Sequence, residues 1–79
     1  MSRLRNKVAI ITGGARGMGG ATSRLFVAEG AKVVIADVLD DDGGKLAAEL
    51  GDNALFVHHD VSQEGSWHAL LEAAVAKFG

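Results

Sequence analysis

The chain has no cysteine, no proline and no tyrosine among its 79 residues. Without cysteine it makes no disulfide and offers no thiolate to a metal, which fits a reducing compartment. With no proline and 11 glycines, its tight turns fall to glycine, as in an α/β chain. An excess of one charge is also missing. Eight Lys and Arg face 10 Asp and Glu, a net charge of −2, so there is no basic surface for nucleic acid. No apolar run approaches the roughly 20 residues of a membrane helix, and Val8 to Ile11 is too short for a signal peptide. Met1-Ser2-Arg3-Leu4-Arg5-Asn6-Lys7 therefore reads as a solvated tail, and the expected location is the cytoplasm, with neither membrane nor nucleic acid as partner. A hydrophobic fraction of 48% argues against disorder. The length bounds one small domain, close to the lower limit for a self-sufficient core.

Ala9-Ile10-Ile11-Thr12-Gly13-Gly14-Ala15-Arg16-Gly17-Met18-Gly19-Gly20 is what stands out. A short apolar run enters a glycine-spaced loop, and the loop enters a helical pattern. A diphosphate site needs that order. Gly13 can take positive φ and turn sharply out of the strand. Gly17 has no Cβ, so its backbone can approach a pyrophosphate, and Gly19 allows the helix to pack close. The helix then turns free N–H groups and its positive dipole end toward the anion. Asp37 closes a second apolar run, Val33-Val34-Ile35-Ala36, 18 residues after Gly19. That is about the separation of a carboxylate that binds an adenosine ribose.

Patterning along the chain predicts three strand–helix units. Val8 to Thr12 is a continuous apolar run, as in a parallel strand covered on both faces. Gly17 to Glu29 is a helix with Ala21, Leu25 and Ala28 at core spacing, stopped by Gly30. Lys32 to Asp37 is the second strand. The acids Asp40 to Asp42 suit the start of a helix through Lys45 to Leu50, which Gly51 ends. Ala54 to His58 is the third strand. Ser62 is the expected N-cap of a last helix with Trp67, Leu71, Ala74 and Phe78 as its apolar stripe. Right-handed crossovers order the strands 3-2-1, with the first two helices on one face and the third on the other. The expected fold is an α/β half of a doubly wound domain.

Thr12-Gly13-x-x-x-Gly17-x-Gly19 resembles the cofactor motif of the short-chain dehydrogenase/reductase family, and Asp60-Val61 looks like its adenine-contacting pair. Gly13 to Gly19 is close to the loop of NAD-dependent hydroxysteroid and related secondary-alcohol dehydrogenases. The resemblance implies that residues 1–79 are the N-terminal, dinucleotide-binding part of a Rossmann domain, ending before its fourth strand. It implies NAD as cofactor, hydride exchange with a small-molecule secondary alcohol or ketone, and a homo-oligomer. It carries Gly13, Arg16, Gly17, Met18, Gly19, Asp37, Val38, Asp60 and Val61 over as cofactor-binding residues. It also implies an Asn-Asn-Ala-Gly strand, a catalytic Ser and a Tyr-x-x-x-Lys that are not in this chain, so no catalytic residue is assigned and the 79 residues alone are expected to be inactive.

Other readings stand beside these. Thr12 either bonds across the glycine loop or meets the cofactor, and Arg16 either reaches phosphate or is solvated. Asp37 as a ligand accepts two ribose hydroxyls and repels a 2′-phosphate by ~4 kcal/mol at ~4 Å in an effective dielectric near ~20; as a structural group it caps the next helix. No Lys or Arg follows at Val38 or Leu39 to favour NADP. Asp60 either turns the chain or takes the adenine amino group. The resemblance also implies that Val61 lays its backbone against the adenine ring. His58 and His59 are adjacent in an extended segment, so they face opposite ways and do not chelate one metal with His68. Two rival functions are a nucleotide-binding module without catalysis and a structural fragment, which could pair its first strand with that of a second copy.

Overall fold

A computed structural model describes residues 5–79. The first four residues of the expected solvated tail lie outside the described residues, while Arg5, Asn6 and Lys7 are exposed. The chain runs β1 (Val8–Thr12), α1 (Gly17–Ala28), β2 (Lys32–Asp37), α2 (Asp40–Leu50), a 3-10 turn (Gly51–Asn53), β3 (Ala54–His58) and α3 (Glu64–Phe78). The strands pair in parallel in the order β1-β2-β3, with Val34 beside both Ile10 and Leu55. This is the expected half of a doubly wound sheet.

β2 lies between the other two strands, and Val33, Val34 and Ile35 have no exposed surface. Alternate side chains of a strand point to opposite faces. Val33 and Ile35 therefore join Leu46, Ala54 and the half-buried Phe26, Val27 and Phe56 under α1 and α2. Val34 and Ala36 join Leu70, Ala74, Ile10, Val57 and Phe78 under α3. Full burial of Val33, Val34, Ile35 and Leu70 is worth about 1.5–3 kcal/mol each. The two layers hold the C-terminal ends of β1, β2 and β3 side by side, where open α/β sheets bind ligands.

Three local expectations are corrected. Ala21, Leu25 and Ala28 are exposed, and α1 presents Gly20, Ser23, Phe26 and Val27 to the sheet. The helix is apolar on more than one side, so its spacing admitted either stripe. In α3 the expected Ala74 and Phe78 do pack on the sheet, but Leu70 joins them in place of Trp67 and Leu71, which are 43% and 51% exposed. Ser62 is not the N-cap. Gln63 holds that place with no side-chain bond, because the Ser62 hydroxyl donates to Asp60 Oδ1 at 2.7 Å. The acids Asp40, Asp41 and Asp42 do form the first turn of α2. Among the described residues no helix is long and apolar enough to cross a membrane.

Candidate functional site

The glycine loop leaves β1 and folds over the end of β2. Gly13, at φ 66°, donates its N–H to the Ala36 carbonyl at 2.8 Å, so the turn is pinned to the neighbouring strand. A Cβ on Gly19 would collide with the Gly13 carbonyl and lie 2.9 Å from the Gly14 Cα. Close approach of helix and loop is thus what Gly19 permits. The first bond of α1 runs from Gly20 N–H to the Arg16 carbonyl. Helix geometry leaves the amides of Gly17, Met18 and Gly19 unpaired within the helix, available to an anion.

Asp37 stands at the C-terminal end of β2, beside this loop. Its Oδ2 accepts from the Ala15 N–H at 3.1 Å and its Oδ1 from the Leu39 N–H at 3.2 Å. An ionised carboxylate has about four acceptor positions, so about two remain for hydroxyl groups. The capping alternative for Asp37 holds only in part: Leu39 is the N-cap of α2, and Asp37 reaches the amide of that residue but none of the unpaired amides of the helix itself. Thr12 is exposed, and among the described residues its hydroxyl has no partner. The bond across the loop comes instead from Ser23, a buried residue whose hydroxyl reaches the Gly19 carbonyl at 2.9 Å and the Gly14 carbonyl at 3.3 Å. Arg16 is not simply solvated, since its Nη1 lies 3.3 Å from Asp42 Oδ2.

Beyond Asp37 a cavity of about 320 Å³ opens between the ends of β2 and β3, bordered by Gly13, Asp37, Val38, His59, Asp60 and Val61. Val38 and Val61 are more than half exposed, which gives it apolar walls. Asp60 Oδ1 accepts both the Ser62 N–H, at 2.9 Å, and the Ser62 hydroxyl, leaving Oδ2 available. These two bonds hold the Asp60 carboxyl below the usual carboxylate range, with smaller help from His58 and His59. Sequence reasoning missed what braces this corner. His59 is buried, its Nδ1 lies 2.8 Å from Ser66 Oγ, and the same oxygen accepts from the Asp60 N–H at 3.2 Å. Trp67 meets the His59 ring edge to face at 4.4 Å. Among the described residues His59 Nε2 has no partner. A histidine followed seven residues later by serine carries no recognisable signal. His58 points the other way and lies 2.6 Å from Asp40, so the two rings do face opposite sides of the sheet. Among the described residues no group of three His, Cys, Asp or Glu could hold a metal.

Met18, 88% exposed, stands at the open mouth of the loop. The structure therefore brings the glycine loop, Arg16, Met18 and Asp37 to one rim and Val38, Asp60 and Val61 to the next. Known proteins share much of this sequence and its fold. The chain is 54% identical over 77 residues to a 3-alpha-(or 20-beta)-hydroxysteroid dehydrogenase of Mycobacterium tuberculosis, covering 98% of the chain and 30% of that protein. It is likewise 54% identical over 78 residues to momilactone A synthase of Oryza sativa subsp. japonica, covering 28% of that enzyme. The crystal structure of a 3-ketoacyl-(acyl-carrier-protein) reductase from Brucella melitensis, complexed with NADH, superimposes with a TM-score of 0.92 at 44% identity, over 95% of this chain and 31% of that one. The chain thus spans about a third of the length of the proteins it matches. The short chain dehydrogenase family model matches residues 7–79, nearly all of the chain, and to that family the chain belongs.

Proposed function

We propose that this chain binds NAD(H) and is the cofactor-binding part of an oxidoreductase acting on a secondary alcohol or ketone. The observation that carries the reading is the bond from the Ala15 amide to Asp37, which joins the acid of β2 to the glycine loop. Diphosphate and ribose recognition are thereby held at one fixed spacing. In this reading the amides of Gly17, Met18 and Gly19 meet the diphosphate, and the free positions of Asp37 accept the ribose hydroxyls. Val38 and the backbone of Val61 enclose the adenine, and Asp60 Oδ2 accepts from its amino group. The bound cofactor supplies hydride chemistry, while these residues bind and orient it. The NADH complex of the Brucella melitensis reductase, whose fold this chain shares, supports the assignment.

Asp37 also favours NAD over NADP, because a 2′-phosphate would replace one of the two hydroxyls that Asp37 accepts and would face its charge. Charged hydrogen bonds contribute about 1.5–3 kcal/mol each, so Asp37→Ala should weaken NADH binding at least about tenfold and narrow its advantage over NADPH. Fluorescence titration of both reduced cofactors against the two proteins measures this. Equal affinities in the unaltered chain would refute the assignment.

The 79 residues contain no tyrosine to exchange a proton with substrate. Acid–base help is worth about 10²–10⁴-fold, and substrate positioning would be missing too. With NAD and a panel of secondary alcohols the chain should show no NADH formation above a protein-free control. We place the protein in the cytoplasm as a homo-oligomer; sedimentation tests the latter.

A further inference from the structure

We propose that Asp42 sets cofactor choice at one remove, by holding Arg16 away from the position where a ribose 2′-phosphate would lie. The inference rests on the NAD reading above. Because the Ala15 amide touches Asp37, the ribose end of the site lies beside residue 15, and Arg16 is the next residue along. Its side chain is 70% exposed and free to reorient, yet its guanidinium lies 3.3 Å from the Asp42 carboxylate. Asp42 belongs to the first turn of α2, the helix that begins just after Asp37 and Val38. The two side chains meet over a groove between α1 and α2, bordered by Arg16, Arg24, Asp42, Lys45 and Glu49. Arg24 is itself paired with Glu49. Arg16 and Arg24 are thus both held by acids of α2.

Arginine recognises phosphate by paired, charge-assisted hydrogen bonds. Released from Asp42, Arg16 has both the position and the donors to take a 2′-phosphate, which NADP carries and NAD lacks. Asp37 rejects that phosphate directly, and Asp42 removes the cation that would compensate. An exposed ion pair contributes little to stability, so the balance between the two cofactors, not the melting temperature, reports on it.

The test compares NADH and NADPH affinities of the unaltered chain, Asp42→Asn, and the double variant Arg16→Ala/Asp42→Asn, at low salt. Asp42→Asn should tighten NADPH about threefold to fivefold, with NADH changed by less than about twofold. The double variant should lose that gain. Where NADPH binds the unaltered chain too weakly to measure, the same pair of variants is compared in the Asp37→Asn background. A gain that survives in the double variant shows that Asp42 acts by its own charge and overturns the proposal. Equal gains for both cofactors would mean that Arg16 goes to the diphosphate, and no gain for NADPH would mean that it reaches nothing; either overturns it. Failure of the unaltered chain to bind NADH overturns the nucleotide reading itself, and is seen before any variant is compared.

Discussion

The two halves of the candidate site are built differently. At the end of β1 and β2, main-chain amides do the positioning: Gly13 donates to Ala36, Ala15 to Asp37 and Leu39 to Asp37. At the end of β3, side chains do it: Ser66 ties His59 to the Asp60 amide, and Ser62 occupies Asp60 Oδ1. The first half depends on where glycine allows the backbone to go. The second depends on a small polar cluster brought in by α3. A backbone-built site tolerates few substitutions, whereas a side-chain brace fails one bond at a time.

The strongest way to break the first half is Gly19→Ala. The added methyl would meet the Gly13 carbonyl, so α1 must move off the loop, at a cost of about 1–3 kcal/mol or more. NADH titration should then show no saturable binding, with thermal unfolding as the companion measurement. Binding retained at the original affinity would show that the loop does not depend on this close approach.

Ser66→Ala should break the second half more gently. It leaves buried His59 with neither ring nitrogen paired and frees the Asp60 amide, at about 1–3 kcal/mol for buried groups left unpaired. For a domain of this size that corresponds to a melting temperature lower by roughly 4–8 °C per kcal/mol. NADH affinity should fall less than in Asp37→Ala, since the loop and β2 are untouched. A loss as large as that of Asp37→Ala would mean that the β3 end governs binding.

The smallest effect concerns Asp60. Its carboxyl is held below the usual range, so its bonds to Ser62 contribute fully above the unfolded value and are lost as pH falls through the folded one. Unfolding followed against pH should show this contribution disappear only in strongly acidic solution. In Asp60→Asn the same profile should lose that acid limb, and an unchanged profile would count against the turn geometry.

Much of the backbone-built half is legible along the chain. Gly13, Gly17, Gly19 and Asp37 announce themselves by spacing, because a turn out of a parallel strand leaves few residue types able to make it. Strand positions and order were equally readable, since apolar runs as short as Val33 to Ala36 have one obvious place in a sheet covered on both sides. The brace at Asp60 was not. His59, Ser66 and Ser62 acquire their roles only when α3 is laid against β3.

By itself, then, the amino-acid order determined the three strand–helix units, the parallel sheet and the rim where glycine loop and Asp37 meet. Local steric rules and hydrophobic periodicity suffice for these. Only the tertiary structure decided which stripes of α1 and α3 face the sheet, that Ser23 rather than Thr12 bonds across the loop, and that Arg16 is paired with Asp42. Helices apolar on several sides can be rotated without violating their own pattern. Contacts such as Arg16 to Asp42, 26 residues apart, exist only once packing of two helices on one sheet has set the distance between them.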